Sequence, residues 1–241
     1  MSPLINHCDL TFPTPEENLA CDEALLNLCE DGAASGILRF WEPSEHFVVV
    51  GYANKVSDEV HELFCDFSGI PIFRRCSGGG AVLQGPGVLN YSLILRADGE
   101  LHNISATNNF ILKRQRAAFA EILRAPVEIQ GHTDLAIGGL KFSGNSQRRK
   151  KHFLLFHGSI LLDLDIDLVE KTLQFPSRQP DYRLGRSHSD FLMNLKVPSA
   201  LVKSALRKVW NANHPLPQIS APAIALLERE KYSRAEWNHK F

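Results

Sequence analysis

The sequence carries almost no net charge: 26 Lys and Arg against 27 Asp and Glu leave −1 at pH 7. That excludes the basic footprint of a nucleic-acid binder and the polybasic face of a membrane-surface protein. No apolar run approaches membrane-spanning length, and Met1–Thr11 lacks the basic start and apolar core of a secretory leader. Cysteine is scarce and one-sided. Cys8, Cys21, Cys29, Cys65 and Cys76 all fall in the first third, without metal-site spacing. An odd count with no pairing pattern points to reduced thiols in a cytoplasmic compartment. Internal repeats and low-complexity tracts are also missing. What remains is 241 residues with 44% hydrophobic content, enough for one sizeable core, so a single domain over residues 1–241 is expected.

Among what is present, Arg74-Arg75-Cys76-Ser77-Gly78-Gly79-Gly80-Ala81-Val82 is the most informative run. It follows a short β-branched and aromatic stretch that reads as a strand. Three glycines there cost backbone entropy, and the usual need is close approach of main-chain N–H groups to an anion. The two arginines add positive charge suited to phosphate or carboxylate; a tight turn beside surface arginines is the alternative. No Gly-Lys-Ser/Thr follows, so the run is not a P-loop, and Leu83 breaks the G-x-G-x-x-G pattern.

Farther on, Asp134–Ile137 and Lys141–Ser146 flank Gly138-Gly139, a two-residue hairpin signal. Lys141 opens the returning strand, either as a surface residue or as a cation held over a ligand. His157-Gly158 interrupts the apolar strand Phe153–Leu161, and His157 reads as a core histidine or a ligand group. Thr14-Pro15-Glu16-Glu17 starts a helix with a capping box, and a second helix is expected over about Ser105–Leu123. Further strands are expected at Ile37–Trp41, Phe47–Gly51, Ile70–Arg74 and Leu89–Arg96, and Arg148–Lys151 reads as a basic hairpin tip. Strand hairpins mixed with separate helices imply an α+β fold with a mixed, largely antiparallel sheet.

Taken in order, Asn18–Leu26, Trp41, Val48–Asn54, the Arg74–Val82 loop, Leu89–Ser92, Asp134 with Lys141, and His157-Gly158 resemble the lipoate–protein ligase branch of the biotin/lipoate ligase superfamily. The resemblance covers about residues 15–165. It implies the biotin/lipoate ligase catalytic-domain fold, related to class II synthetases, with the sheet flanked by helices. It implies ATP-dependent activation of lipoate or octanoate to acyl-AMP and transfer to a lysine of a lipoyl-domain acceptor protein, with ATP and Mg²⁺ as cofactors.

By that resemblance Lys141 is the catalytic cation. Arg75, Ser77, Gly78, Gly79, Gly80, Ala81, Val82, Leu83, Asn90 and Asp134 join it around the nucleotide, and Asp134 and Asn90 are candidate Mg²⁺ ligands. Trp41, Arg75, Ser77, Val82, Gly144, Ser146, His157 and Gly158 line the lipoate slot with Lys141. Gln174–Asn194, rich in proline and polar residues, reads as a lid-like loop, poorly ordered until it closes over the adenylate; Arg183 and Arg186 could reach an anion from it. No C-terminal accessory domain of the kind larger ligases carry is expected, which leaves room for a separate accessory subunit.

Two departures stand out. Leu83-Gln84 stands where the family usually has Phe-His, and Thr133 where Asn usually precedes the aspartate. Gln84-Gly85-Pro86-Gly87 resembles the His-Gly-Pro-Gly of octanoyltransferases. The alternatives are therefore acyl transfer from acyl carrier protein or from preformed acyl-AMP, or the catalytic subunit of a split ligase. Octanoyltransferases use a thiolate on the C-terminal side of the lysine motif, and this chain has no cysteine after Cys76.

Overall fold

The structure is a computed structural model that describes residues 4–176, 178–217 and 219–241. Residues 1–3 of the N-terminal stretch and Ser177 of the expected lid lie outside the described residues. The strands are β1 (Asn6–Asp9), β2 (Ile37–Trp41), β3 (Phe47–Val50), β4 (Ile72–Arg74), β5 (Val82–Gln84) and β6 (Val88–Arg96). They continue with β7 (Glu128–Gln130), β8 (Asp134–Ile137), β9 (Leu140–Arg149), β10 (Phe153–Leu161) and β11 (His214–Pro215). The helices are α1 (Pro15–Glu30), α2 (Val56–Glu59), α3 (Glu62–Ser68), α4 (Ile104–Leu123) and α5 (Ile166–Thr172). Four more follow: α6 (His188–Phe191), α7 (Ser199–Val209), α8 (Ala221–Leu227) and α9 (Ala235–Asn238).

The larger sheet runs β11-β1-β2-β6-β10-β9-β8-β7. It is antiparallel except where β1 pairs with β2 and β11. The smaller sheet, β4-β3-β5, holds the glycine loop between β4 and β5. This is the expected α+β architecture, a mixed and largely antiparallel sheet flanked by helices. Because side chains alternate along each strand, the large sheet has two faces. Leu38, Leu93 and Phe156 pack with Ile111 and Phe119 of α4 and Val202 and Leu206 of α7. Ile37, Trp41, Ile94 and Leu155 pack with Leu25 and Leu26 of α1 and Ile224 of α8. Each such Leu or Ile contributes roughly 1.5–3 kcal/mol when fully buried.

Local signals explain the boundaries. Thr14 caps α1 with the reciprocal bonds of a capping box, and Pro15 is its first helical residue. Gly138 and Gly139 turn the β8–β9 hairpin with φ of 56° and 76°, a conformation open to glycine.

Two expectations are corrected. Arg148 and Arg149 belong to β9, and the turn comes only at 150–152. Arg149 is tied down, its Nη2 donating to the Leu101 carbonyl at 2.7 Å. The 174–194 segment is not an open loop. It contains a 3₁₀ turn, Asp181–Arg183, and α6, and it lies on the β8–β9 hairpin. Arg186 Nη2 donates to the Gly139 carbonyl at 3.0 Å, and Met193 N–H to the Lys141 carbonyl at 2.9 Å. Arg183 is buried with its guanidinium 4.9 Å from the ring centres of both Phe175 and Phe191. Stacking on two aromatic rings and main-chain pairing hold a segment that its proline and polar content marked as loose.

Candidate active site

The α1-facing side of the large sheet floors a cavity of about 280 Å³. Register fixes what lies on that floor. Trp41, Asn90, Ser159, Gly144 and Asp134 form one cross-strand row over β2, β6, β10, β9 and β8. Two residues along the strands, Arg39, Ser92, His157 and Ser146 form the next row. The glycine loop and the 174–194 segment enclose the space above.

The loop's arginines serve the loop itself. Arg75 is buried; its Nη2 donates to the carbonyls of Gly78 and Gly80 at 2.6 and 2.8 Å, and its Nη1 to that of Val49 at 3.2 Å. Its Nε reaches Ser77 Oγ at 3.2 Å. Arg74 is likewise enclosed and bonds backbone carbonyls. Arg75 thus borders the cavity with its guanidinium already bonded to loop carbonyls. The Gly79–Leu83 backbone lines the cavity beside it. Gly79, Gly80, Ala81, Val82 and Leu83 border the cavity, whereas Ser77 is almost fully buried beneath.

Lys141 Nζ lies 2.8 Å from Asp134 Oδ1 at the cavity wall. Asp134 Oδ2 accepts a 2.8 Å bond from the Tyr182 hydroxyl. Burial, with Asp134 beside it, pushes the Tyr182 phenol up, so it remains a donor at neutral pH. Gly144 makes the space: a Cβ there would sit 2.8 Å from Lys141 Nζ. The side-chain position of Gly158 faces the other way and is filled by the Asn145 amide, 2.0 Å from a Cβ built there.

His157 stands in a buried polar chain. Its Nε2 is 2.5 Å from Ser77 Oγ, and its Nδ1 is 3.5 Å from Asp22 Oδ2. Asp22 in turn pairs with the fully buried Arg39 at 2.6 Å. Burial alone would raise the Asp22 carboxyl, but Arg39 and His157 outweigh it and hold it below its ordinary value. Ser146 Oγ donates to the Gly78 carbonyl at 2.8 Å, closing β9 against the loop.

A Mg²⁺ ion shared by Asn90 and Asp134 does not fit. They occupy one row three strand spacings apart, roughly 14 Å between backbones, beyond the reach of two short side chains through one ion. Asn90 Oδ1 also accepts from both Gln84 and Ser159, at 3.0 and 2.8 Å. Gln84, standing where the family's histidine is usual, thus ties the loop's exit to the floor. Among the described residues no group of three His, Cys, Asp or Glu could hold a metal.

The thiols are poor nucleophiles. Burial pushes Cys76 up to about 12, Cys21 and Cys29 to about 12, and Cys8 and Cys65 to about 11. No helix among the described residues is long and apolar enough to cross a membrane.

Sequence reasoning gave no role to Tyr182, Asp22, Arg39 or Gln84. Asp22 carried a signal, an acidic residue inside the apolar stripe of α1. Tyr182 carried none, because only the folded 174–194 segment brings it to Asp134.

Residues 14–198 match the Lipoyl protein ligase A/B catalytic domain family. The chain is 25% identical over 240 residues to Lipoate-protein ligase LplJ of Bacillus subtilis, covering 93% of this chain and 70% of LplJ. It is 30% identical over 200 residues to the octanoyltransferase LipM of Brevibacillus brevis, covering 71% of this chain and 70% of LipM. It spans only 49% of Lipoate–protein ligase 1 of Staphylococcus aureus. The bi-partite lipoate protein ligase of Thermoplasma acidophilum has a similar fold, with TM-score 0.83, 23% identity, and 98% and 96% of the two chains covered. So does a lipoate-protein ligase A bound with ATP, at TM-score 0.83, 23% identity and 99% of each chain. With a family match over most of its length, a shared fold and relatives that are lipoate ligases and octanoyltransferases, the chain belongs to the lipoyl protein ligase A/B catalytic-domain family of acyl-transferring enzymes.

Proposed function

We propose that this chain is an ATP-dependent lipoate–protein ligase. It activates lipoate or octanoate to the acyl-adenylate and passes the acyl group to a lysine of a lipoyl-type acceptor domain. The observation that carries this reading is one site with a cation, Lys141, at the wall beside the glycine loop, in a chain whose five thiols are all pushed up to about 11 or 12. Activation needs the first, and a thioester route needs what the second withholds.

In the first step the acyl carboxylate oxygen attacks the α-phosphorus, and pyrophosphate leaves with the electrons of the broken P–O bond. Negative groups converge, so donors and cations that act most strongly at the transition state lower the barrier. The Lys141 ammonium offsets charge on the acyl carbonyl and α-phosphate, and the Gly78–Leu83 amides offset charge on the phosphates. In the second step the acceptor amine attacks the carbonyl carbon, AMP leaves with the C–O electron pair, and the amine releases a proton. The aliphatic arm packs by Trp41 and Val82, where each buried methylene is worth about 0.8 kcal/mol. The Tyr182–Asp134 bond holds the 174–194 segment over the intermediate and excludes water.

Similarity to LipM favours one second reading, octanoyl transfer from acyl carrier protein without ATP. The bi-partite ligase of Thermoplasma acidophilum suggests a variant of the first, in which a separate subunit is needed for activation. The test supplies the chain with lipoate, ATP and Mg²⁺, or with preformed lipoyl-adenylate, and follows pyrophosphate and acceptor modification. Modification from both supports the ligase; modification from preformed adenylate alone points to a missing subunit; neither overturns the reading.

A further inference from the structure

Behind the glycine loop, the C-terminal residues close on Arg74. Arg74 N–H donates to Asn238 Oδ1 at 3.0 Å, its Nε to the Trp237 carbonyl at 3.0 Å, and its Nη2 to the Asn238 carbonyl at 3.0 Å. Trp237 Nε1 donates back to the Arg74 carbonyl at 2.8 Å. The remaining nitrogen, Nη1, reaches inward to the carbonyls of Gly51 and Asn54, both at 2.7 Å. Gly51 and Tyr52 then bear directly on the loop. Tyr52 N–H donates to the Ser77 carbonyl at 2.8 Å, and a Cβ on Gly51 would stand 1.8 Å from the Gly79 carbonyl oxygen. The strap is anchored at its far side, where Asn238 Nδ2 donates to the Tyr232 carbonyl at 3.0 Å and the Tyr232 hydroxyl to Glu23 of α1 at 2.5 Å.

We propose that Trp237 and Asn238 are positioning residues for the glycine loop, acting through Arg74. Gly78, Gly79 and Gly80 have no side chains with which to fix their own conformation, and glycine samples more backbone states than any other residue. Their shape must be imposed by neighbours. Arg75 and Ser146 do this from the cavity side; Arg74 does it from behind, through the Gly51–Asn54 turn. A fully buried guanidinium depends on its acceptors, because each donor left without one carries its whole desolvation cost. The acceptors on the strap are the main-chain carbonyls of Trp237 and Asn238. The two side chains hold that main chain in place through Trp237 Nε1 on the Arg74 carbonyl, Asn238 Oδ1 on the Arg74 N–H and Asn238 Nδ2 on the Tyr232 carbonyl. Without those side-chain bonds the carbonyls shift and Arg74 no longer holds that turn in a single position. The loop's amides then spend less time aimed together at one anion, so ligand phosphate binds more weakly. That last step rests on the nucleotide reading given above.

The test uses Trp237→Phe, which keeps an aromatic ring and removes the donor, and Asn238→Ala, both in the full chain. Amide hydrogen exchange of residues 78–83 without ligand is expected to speed up about ten-fold, with Phe153–Leu161 unchanged, as local opening predicts. In lipoate-dependent pyrophosphate release, KM for ATP is expected to rise about ten-fold with kcat within about three-fold, the signature of weakened binding rather than lost active protein. Unchanged exchange in the loop would overturn the proposal. So would exchange that rises equally in Phe153–Leu161, with kcat reduced and KM unmoved, because that describes general destabilisation. Selective loosening of the loop in a chain whose wild type releases no pyrophosphate would leave the strap standing and sink the nucleotide reading instead.

Discussion

Gly144 and Lys141 share one space: a Cβ on Gly144 would stand 2.8 Å from Lys141 Nζ and 2.9 Å from its Cε. The missing side chain is what lets the ammonium lie over the floor row and meet Asp134. Gly144→Ala is therefore expected to displace Nζ and slow adenylate formation about ten-fold or more, with little change in thermal stability. Lys141→Ala removes the charge itself and is expected to cost roughly 10²–10³, the scale for loss of one transition-state donor. Lys141→Arg is expected to fail as well, since a planar guanidinium is bulkier than an ammonium point charge. Pyrophosphate release measures all three, and near-normal rates in the Lys141 variants would remove the residue from the chemistry.

Tyr182→Phe deletes the hydroxyl that bonds Asp134 Oδ2 while keeping the ring that packs on Phe191. One such bond is worth about 1 kcal/mol, so the 174–194 segment should open several-fold more often. Faster proteolysis within that segment is expected, together with more free lipoate and AMP released per acyl group transferred. Wild-type protection and unchanged hydrolysis would mean that Tyr182 latches nothing.

Thiols raised to about 11 or 12 by burial are about 0.1% thiolate or less at pH 8. Alkylation of the folded chain by iodoacetamide should be slow at every cysteine. Replacing all five by alanine or serine should retain activity, apart from stability losses where Cys21 and Cys29 pack in the core. An acyl group found by mass spectrometry on any cysteine would reverse this expectation.

The Asp22–Arg39 pair is buried on both sides, so Asp22→Asn leaves a guanidinium without its counter-charge, a change that costs about 3–5 kcal/mol. The sign of the pH effect follows from the depressed Asp22 carboxyl. Its stabilising contribution is present above the ordinary carboxylate value and is lost as pH falls through the lower folded value. Melting curves below about pH 4 should show the wild type losing stability that the Asn variant lacks already. Parallel curves for the two proteins would contradict the assignment.

Much of the fold was legible because its signals are local. The Thr14 capping box, the Gly138-Gly139 turn and the largely apolar stretch of β10 each name their element without help from the rest of the chain. Cross-strand register was not legible. Asn90 and Asp134 both suit a cation by type, and only the pairing of Ser159 with Asn90 and with Gly144 reveals the three strands' width between them. The bonding of Arg75 beside the glycine loop was hidden for a related reason. Charge type suggests a ligand, while the acceptors that consume the donors, the carbonyls of Val49, Gly78 and Gly80, leave no trace in sequence. The 174–194 segment read as loose because its stabilising contacts, Arg183 on Phe175 and Phe191, depend on a turn that sequence spacing does not specify.

The central claim is that this chain makes an acyl-adenylate, and lipoate-dependent release of pyrophosphate from ATP tests it most directly. Release is predicted to need lipoate or octanoate, to fall roughly 10²–10³-fold in Lys141→Ala and to survive replacement of all five cysteines. No release under those conditions, combined with ATP-independent transfer of octanoate from octanoyl-acyl carrier protein to a lipoyl domain, would contradict it.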